Sequence, residues 1–368
     1  MKGNVAPRQL FCMMFLFELG SSVVVGLGLQ AKQAAWVAVL IGMAAGLLLM
    51  AMYYYIYRFS PSRNWAETLV YLLGPYAGTA LALGYMLYFL YIGSRVLGDF
   101  GYLISITAFN ETPVLVMNAV MMILIMYSFN KGILVLARGS EIMFGFLFFV
   151  GIIVAFLTGM SGIVKPEQSL PLFEDGLKPL LQTAFPLTVT FPFGELIVFL
   201  MILPTLRKED SNILATMLKA VFIGGVTLAA VIWTEIAVLG PDRASMELFP
   251  LMTVLGKVGV GDFIQRLDAV VLSLLIVGVF FKIAVYYYGA VTSYASLLKM
   301  SGKGERGVVA VLIGGAMLWL SIAMSRNYSD HIKVGLQAVP YYMHVPMQIA
   351  VPLIVTLFIF IRSRRQGK

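Results

Sequence analysis

The fold is decided by residues 186–195, which read Pro-Leu-Thr-Val-Thr-Phe-Pro-Phe-Gly-Glu. They lie inside an apolar segment that is otherwise long enough to cross a membrane. A proline removes a backbone donor and clashes with the preceding turn, so Pro186 and Pro192 should interrupt the helix. In hydrocarbon such a break is tolerated only where it is buried in protein or lines a cavity. A carboxylate, Glu195, follows at once, and this combination is typical of the substrate sites of secondary transporters.

The composition places the whole chain in a membrane. Its 368 residues are 60% hydrophobic and 12% charged, and the mean hydropathy is +0.90. About ten apolar runs are each long enough to cross a hydrocarbon core of about 30 Å, and no soluble domain is left over. We therefore expect an all-α, multi-pass protein with spans near 9–30, 34–57, 79–107, 113–130, 139–161, 179–204, 213–239, 263–298, 308–324 and 345–361.

Several function classes are disfavoured by residue usage. The single cysteine, Cys12, excludes an intrachain disulfide, and His331 and His344 are expected in or beside a polar loop, so we predict no metal site and no cofactor. No catalytic triad or phosphate-binding loop is found, which argues against an enzyme. The net charge of +8 is spread over short segments between apolar runs, so nucleic acid is not an expected partner.

The basic residues also set the orientation. Of the 26 lysines and arginines, 15 fall in the termini and the loops on their side of the membrane, and 8 fall in the opposite loops. Positive charge accumulates on the cytoplasmic side, so both termini are predicted to be cytoplasmic. The amino-terminal run is too long for a signal peptide and contains Glu18, so we interpret it as the first span.

The spans divide into two halves of five. We expect a first repeat over residues 1–164, a polar external linker over 165–178 and a second repeat over 179–368. Because five is odd, halves that share a fold must have opposite orientations, which is an inverted repeat. The helix of the first span can be interrupted at the glycine-rich stretch Gly20–Gly28, just as that of the sixth span can be interrupted at its prolines. The third spans carry Arg95 and Lys282 respectively.

A charged residue within a span needs a partner, water or a function, and five such residues are the candidates here. They form the predicted charge network of Glu18, Arg95, Asp99, Glu195 and Lys282. Glu18 and Glu195 should fall on the cytoplasmic sides of the two breaks and can therefore face one another, and Lys282 is expected to pair with one of the acidic residues.

Two of these assignments leave alternatives open. Arg95 and Asp99 are one turn apart and can pair directly, either as a neutralised structural pair or as part of a site. Glu18 ends a half-helix, where the dipole disfavours its charge, so it is the better candidate for a proton carrier than Glu195, which begins one.

Hydroxyl groups near the two breaks are candidate ligand contacts. Ser21, Ser22, Thr188 and Thr190 can supply them, and unwound backbone amides can take a substrate carboxylate. The competing interpretation is that these small residues allow close helix packing. We expect Tyr53–Tyr55 to form an interfacial belt and Tyr286–Tyr288 to face the interior in part.

Two connecting segments are predicted to be more than loops. Asn64-Trp65-Ala66-Glu67 has the pattern of a capping box and should begin a short interfacial helix anchored by Trp65. The segment Met246–Val260 is either an external lid or a plain connector.

Four stretches resemble one known family. Phe17-Glu18-Leu19-Gly20-Ser21-Ser22, Ala31-Lys32-Gln33-Ala34-Ala35-Trp36, Phe191-Pro192-Phe193-Gly194-Glu195 and the proline-spaced tail His344–Leu353 are similar in order and spacing to endospore germination permeases. These are the B subunits of spore germinant receptors, in the amino acid–polyamine–cation transporter superfamily.

The resemblance implies a five-plus-five inverted repeat in the spore inner membrane, assembled with a larger A subunit and a lipoprotein C subunit. It implies that the chain binds a small nutrient, often an amino acid, and triggers germination. It further implies a ligand site between the first and sixth helices, formed by Gly20, Ser21, Ser22, Gly26, Thr188, Thr190, Phe191 and Gly194. A proton-coupled amino acid symporter is the alternative, and a scaffold without a ligand is less favoured because it would not need a broken, charged core.

Overall fold

The computed structural model describes residues 4–174, 176–206, 212–259, 267–300, 302–324 and 327–365. Within these ranges the regular elements are all helical, apart from one isolated bridge between Val5 and Leu206. The helices are α1 Pro7–Leu19, α2 Ala35–Phe59, α3 Trp65–Leu73, α4 Pro75–Thr107, α5 Val114–Lys131, α6 Ile133–Met160, α7 Leu177–Thr183, α8 Ile213–Leu239, α9 Pro241–Met246, α10 Pro250–Gly256, α11 Asp268–Leu297, α12 Lys303–Ala323, α13 Tyr328–Lys333 and α14 Val351–Arg365.

The first span is broken where its glycines predict. Helix α1 ends at Leu19, the backbone turns through residues 20–28, and a short 3-10 turn over Leu29–Ala34 leads into α2. Gly26 and Gly28 have φ angles of 59° and 78°, which side chains other than glycine rarely adopt. The break in the first span is therefore confirmed, and its glycines are required by backbone conformation.

The sixth span is broken as well. After α7 the chain widens into π-type turns over Ala184–Phe193, and Phe185 and Phe191 have extended backbone angles inside them. It then tightens into 3-10 turns over Gly194–Met201 and Leu203–Thr205. We call residues 177–205 the sixth span. Its irregular stretch is almost wholly buried, as a broken helix within a membrane must be.

Neighbouring helices supply donors to the broken backbone. The hydroxyl of Tyr53 on α2 lies 3.1 Å from the carbonyl oxygen of Gly194 and 2.7 Å from that of Gln348, so its single proton is shared between the two acceptors. Tyr85 on α4 donates to the carbonyl of Met347 at 2.5 Å. Tyr53 is thus buried in the bundle and does not belong to an interfacial belt, which corrects the expectation for the run Tyr53–Tyr55.

The span count agrees with the sequence expectation. Nine stretches of the described residues are long and apolar enough to cross a membrane. The first span lacks such a helix because the glycine-rich break limits α1 to 13 residues. The bounds of these nine stretches agree with the predicted ones within six residues.

The stretch apolar enough to form the last span is Pro340–Arg364, but the helical segment that contains it begins far earlier than residue 345. Helix α13 starts at Tyr328 and runs through π-type turns over Val334–Ala338 and Pro340–Ala350 into α14. His331 and His344 are consequently buried inside this span, at 1% and 3% exposure, and the prediction that they sit in or beside a polar loop is wrong. We call residues 328–365 the last span.

The start of the first span lies beside the end of the sixth. The amide of Val5 donates to the carbonyl of Thr205 at 3.0 Å. Residues 5 and 205 stand at opposite ends of their spans, so the two lead segments run in opposite directions. This arrangement is the one that an inverted repeat requires.

The capping box at Asn64 forms as predicted. The Asn64 side chain accepts from the amide of Glu67 at 3.1 Å, and the Glu67 carboxylate accepts from the amide of Asn64 at 3.0 Å. Helix α3 then ends before Gly74 and Pro75. Trp65, however, is buried against Tyr85 with ring centroids 5.3 Å apart, so it packs in the core and is not an interfacial anchor.

We predict that Gly42→Ala destabilises the bundle. A Cβ there would lie 2.5 Å from the carbonyl oxygen of Thr188, so α2 and the sixth span would have to separate. Such overpacking costs about 1–3 kcal/mol, and we expect a lower melting midpoint of the purified protein in detergent.

The matched control is Gly151→Ala on α6, where an added Cβ meets nothing within 4 Å. Equal midpoints for the two variants would contradict the close packing of α2 on the sixth span.

Candidate functional site

A buried ion pair lies where the two breaks meet. Nζ of Lys282, on α11, is 2.6 Å from Oε2 of Glu195, and both side chains are at most 2% exposed. The ammonium also faces the rings of Phe191 and Phe17, at 4.4 and 5.2 Å from their centroids. A carboxylate and two aromatic faces thus surround one cation, which is how a charge is made tolerable in a low-dielectric core.

Gly20 allows this lysine to enter the first break. A Cβ at Gly20 would lie 2.9 Å from Cδ of Lys282. On the other side of the contact, a Cβ at Gly278 would lie 3.3 Å from Cα of Gly20. Helices α1 and α11 therefore meet at glycines, and the lysine stem lies directly along the break.

A polar chain continues from Glu195 to the last span. Nε2 of His344 is 3.9 Å from Oε1 of Glu195, and Nδ1 of His344 is 2.7 Å from the hydroxyl of Tyr88 on α4. Gln348 donates its amide to the same hydroxyl at 2.7 Å. Because Tyr88 accepts from Gln348, its own proton is available to His344. The chain links α4, the sixth span and the last span.

A second charged group centres on His331. Arg95 donates through Nη2 to the backbone carbonyl of His331, and Oδ1 of Asp99 is 3.1 Å from the Nε2 of His331. The direct pair of Arg95 with Asp99 that their spacing permits is not formed among these described residues, because His331 lies between them. These two contacts with His331 join α4 to α13.

Members of both groups line one cavity, whose non-atom space is about 410 Å³ with open solvent included. Four parts of the chain contribute its walls: the first break, α4, the sixth span and the last span. The lining residues are Ser21, Val25, Ile92, Arg95, Val96, Asp99, Phe191, Glu195, Ile332, Gly335, Leu336, Val339 and His344.

Aromatic side chains pack around His331, whose ring centroid is 6.1 Å from that of Tyr102 and 6.2 Å from that of Tyr328. Tyr328 packs against Tyr102 of α4 and Phe249, with ring centroids 5.1 Å apart in each case. Next to Phe249, Pro250 contacts the position of Gly26 in the first break. The segment Met246–Val260, of which Val260 lies outside the described residues, thus packs partly on the break.

The predicted ligand residues occupy different places around the cavity. Ser21 and Phe191 line it. Thr188 is turned towards α2, where its hydroxyl donates to the carbonyl of Ala38 at 2.6 Å, and Thr190 donates to the carbonyl of Pro186 at 2.8 Å. The remaining four form the break or its packing around the cavity without lining it, namely Gly20, Ser22, Gly26 and Gly194.

Of the predicted charge network, Arg95, Asp99 and Glu195 line the cavity, and Lys282 stands behind Glu195. Glu18 lies elsewhere: it faces α8, where a Cβ at Gly224 would be 1.8 Å from its Oε2. Both carboxyl oxygens of Glu18 are buried without a hydrogen-bond partner among the described residues. Glu18 and Glu195 therefore contact different helices.

Sequence reasoning missed three buried polar residues. His331 and His344 were assigned to a loop because polar residues precede the apolar tail, although the prolines at 340, 346 and 352 signal a broken span. Glu235 on α8 is fully buried and, like Glu18, has no hydrogen-bond partner among the residues described. Groups of three His, Cys, Asp or Glu side chains able to hold a metal ion are absent from the described part of the chain.

The helices and the cavity define a multi-pass, all-α membrane protein of transporter-like fold. The chain is similar in structure to MHP1, a nucleobase-cation-symport-1 family transporter solved in a closed conformation with bromovinylhydantoin bound. The TM-score is 0.67 at 13% sequence identity, covering 99% of this chain and 94% of that one. At this identity the likeness establishes the fold alone.

The chain belongs to the spore germination protein family, whose model matches residues 4–329. It is 35% identical over 367 residues to spore germination protein KB of Bacillus subtilis (strain 168), covering 100% of this chain and 97% of that relative. It is 26% identical over 335 residues to putative spore germination protein YfkT of the same organism, covering 90% and 88%. The family resemblance predicted from four short stretches is confirmed.

The ion pair yields a prediction on stability. Lys282→Met leaves Glu195 buried and unpaired, and Glu195→Gln does the same to Lys282. Removing one partner of a buried pair costs about 3–5 kcal/mol, so each single variant should have a much lower melting midpoint.

The double variant, Lys282→Met with Glu195→Gln, has no unpaired charge left at this position. We expect its midpoint to recover most of the loss. If the fall in melting midpoint of the double variant equalled the sum of the falls of the two single variants, the two residues would act independently and the pair would not be the source of stability.

Proposed function

We propose that this protein is the nutrient-sensing membrane subunit of a spore germinant receptor. It binds a small germinant, an amino acid, in the cavity between the two breaks. Binding then changes the packing of the last span and is passed to a larger A subunit and a lipoprotein C subunit, which start germination. The observation that carries the proposal is the cavity itself, in which broken backbone and buried charges from four parts of the chain converge.

The arrangement in the membrane forms part of this proposal. We place the protein in the spore inner membrane with both termini cytoplasmic, as two inverted repeats over 1–164 and 179–368 joined by an external linker over 165–178. The contact of Val5 with Thr205 supports the inversion. Family membership supports the role in germination, and the small molecule bound to MHP1 supports a small-ligand site in this fold.

A proton-coupled amino acid symporter is the second candidate. Its specific support is Glu18, a buried carboxyl group beside the first break whose oxygens have no hydrogen-bond partner among the described residues. Such a group is stable when protonated and costly when charged, which suits a carrier that takes up and releases one proton. A sensor needs a ligand-dependent change of shape alone, whereas a symporter must complete alternating access.

Uptake and binding, measured on the same protein, separate the two functions. Purified full-length chain is reconstituted into liposomes, and a labelled panel of the twenty amino acids is tested with and without an inward proton gradient. We expect saturable binding without accumulation. Accumulation that depends on the gradient and is lost in Glu18→Gln would establish the symporter instead, and the absence of any binding would contradict both.

Ser21→Leu tests the position of the site. Its larger side chain would enter the cavity, so amino acid binding should fall by at least about tenfold, through lost space and not through lost stability. Ser128→Leu on α5 is the control, because Ser128 bonds to its own helix away from the cavity. Unchanged binding in a stable Ser21→Leu protein would place the ligand elsewhere.

A further inference from the structure

Two opposite charges on α4 face the cavity without neutralising each other. Arg95 and Asp99 are one helical turn apart and both line the cavity. Side chains at this spacing usually reach one another. Here each contacts His331 instead, Arg95 through the backbone carbonyl and Asp99 through the ring. The last span therefore holds the two charges apart.

The guanidinium of Arg95 has neutral partners. Besides the carbonyl of His331 it contacts the hydroxyl of Tyr91 at 3.5 Å and lies 5.9 Å from the Tyr91 ring centroid. Among the described residues, no carboxylate lies within 4.0 Å of it. A guanidinium has five N–H donors in a planar fork that matches a carboxylate. Arg95 thus retains donors and charge for an anionic group in the cavity.

Asp99 can bind a positively charged group of the same ligand. Its side chain is 12% exposed, and because Asp99 lines the cavity, part of it is accessible from there. A carboxylate has about four acceptor sites, and the contact with His331 Nε2 occupies one of them. An ammonium group can be accepted by the others.

The other charged pair is already engaged. Lys282 and Glu195 contact each other at 2.6 Å, and the ammonium is enclosed by Phe191 and Phe17. A ligand that took either charge would leave its partner unpaired in the core, which is costly. The charged side chains that remain available to a ligand are therefore Arg95 and Asp99 on α4.

We infer that Arg95 and Asp99 bind the two poles of an α-amino acid, with the ligand carboxylate on Arg95 and its ammonium on Asp99. The inference rests on the proposed function and deepens it. The ligand's two charged groups share one carbon atom, and side chains one helical turn apart have Cβ atoms about 5–6 Å apart. The carboxylate is then held by a side chain of α4 and not by the unwound amides that the sequence analysis named as candidates.

The remaining walls select the ligand's side chain. Apart from Ser21 and the ionisable residues, the lining is apolar or glycine, with Val25, Ile92, Val96, Phe191, Ile332, Leu336 and Val339. An apolar side chain gains from such walls, whereas a charged one would be desolvated without a partner. The expected ligands are amino acids with small aliphatic side chains.

Three ligands that differ at one pole test the inference. The probes are L-valine, L-valinamide, which lacks the carboxylate, and 2-hydroxy-3-methylbutanoate, which lacks the ammonium. If another of the twenty amino acids binds the purified full chain more tightly, its own amide and hydroxy acid are used. We expect the native chain to prefer the amino acid over each analogue by about tenfold or more, as the loss of one charge-assisted contact implies.

The variants should lose these preferences one at a time. Arg95→Gln should bind L-valine and L-valinamide within about twofold of each other and still discriminate against the hydroxy acid. Asp99→Asn should bind L-valine and the hydroxy acid within about twofold of each other and still discriminate against L-valinamide. Arg95→Lys retains the positive charge and should restore part of the preference for the carboxylate. Arg63→Gln and Asp242→Asn, which change charges outside the cavity lining, should retain both preferences.

A merely structural role would give a different pattern. If Arg95→Gln weakened L-valine and L-valinamide by the same factor, Arg95 would be a clamp on the last span and the inference would be overturned. Binding of an amino acid that neither Arg95→Gln nor Asp99→Asn alters would overturn it while leaving the proposed function intact. Absence of binding by every amino acid would overturn the proposed function itself.

Discussion

The ammonium of Lys282 must be neutralised inside the bundle, and the structure around the two breaks meets this requirement. A lone charge at such a depth costs about 2.5–3.5 kcal/mol on insertion scales and more in simulations. Glu195 supplies the counter-charge at 2.6 Å, and it can do so because the chain resumes tight turns directly after the break. Gly20 leaves room for the lysine stem. The ion pair therefore joins α11, the first break and the sixth span.

The broken backbone imposes a second constraint. Carbonyl groups freed by proline need donors in an environment without water. Hydroxyls from Tyr53 and Tyr85 reach carbonyls of the sixth and last spans, and Thr188 bonds back to α2. With these groups satisfied by protein, a cavity remains between α4 and the last span. These polar contacts stabilise the breaks from outside the cavity, since none of the three residues lines it.

Much of this fold could be predicted from sequence, because hydrophobic length fixes spans and glycine and proline fix breaks. The contacts that the buried polar side chains make could not be predicted. Arg95 and Asp99 are correctly spaced for a pair on one helix, yet the structure inserts His331 between them, from a span about 230 residues later. The hydroxyl of Thr188 faces α2. This orientation could not be predicted, because nothing in the local sequence tells which side of an irregular segment a residue occupies. The polar run before residue 333 hid the true start of the last span.

The central claim is that the first break lines a ligand cavity, and the single native cysteine allows a direct test. In a Cys12→Ala background, Ser21→Cys is labelled with a small methanethiosulfonate reagent in proteoliposomes, with Ser128→Cys as the control position. The account predicts that a bound amino acid slows labelling at position 21 and leaves position 128 unchanged. Equal labelling rates at position 21 with and without a saturating amino acid would contradict it.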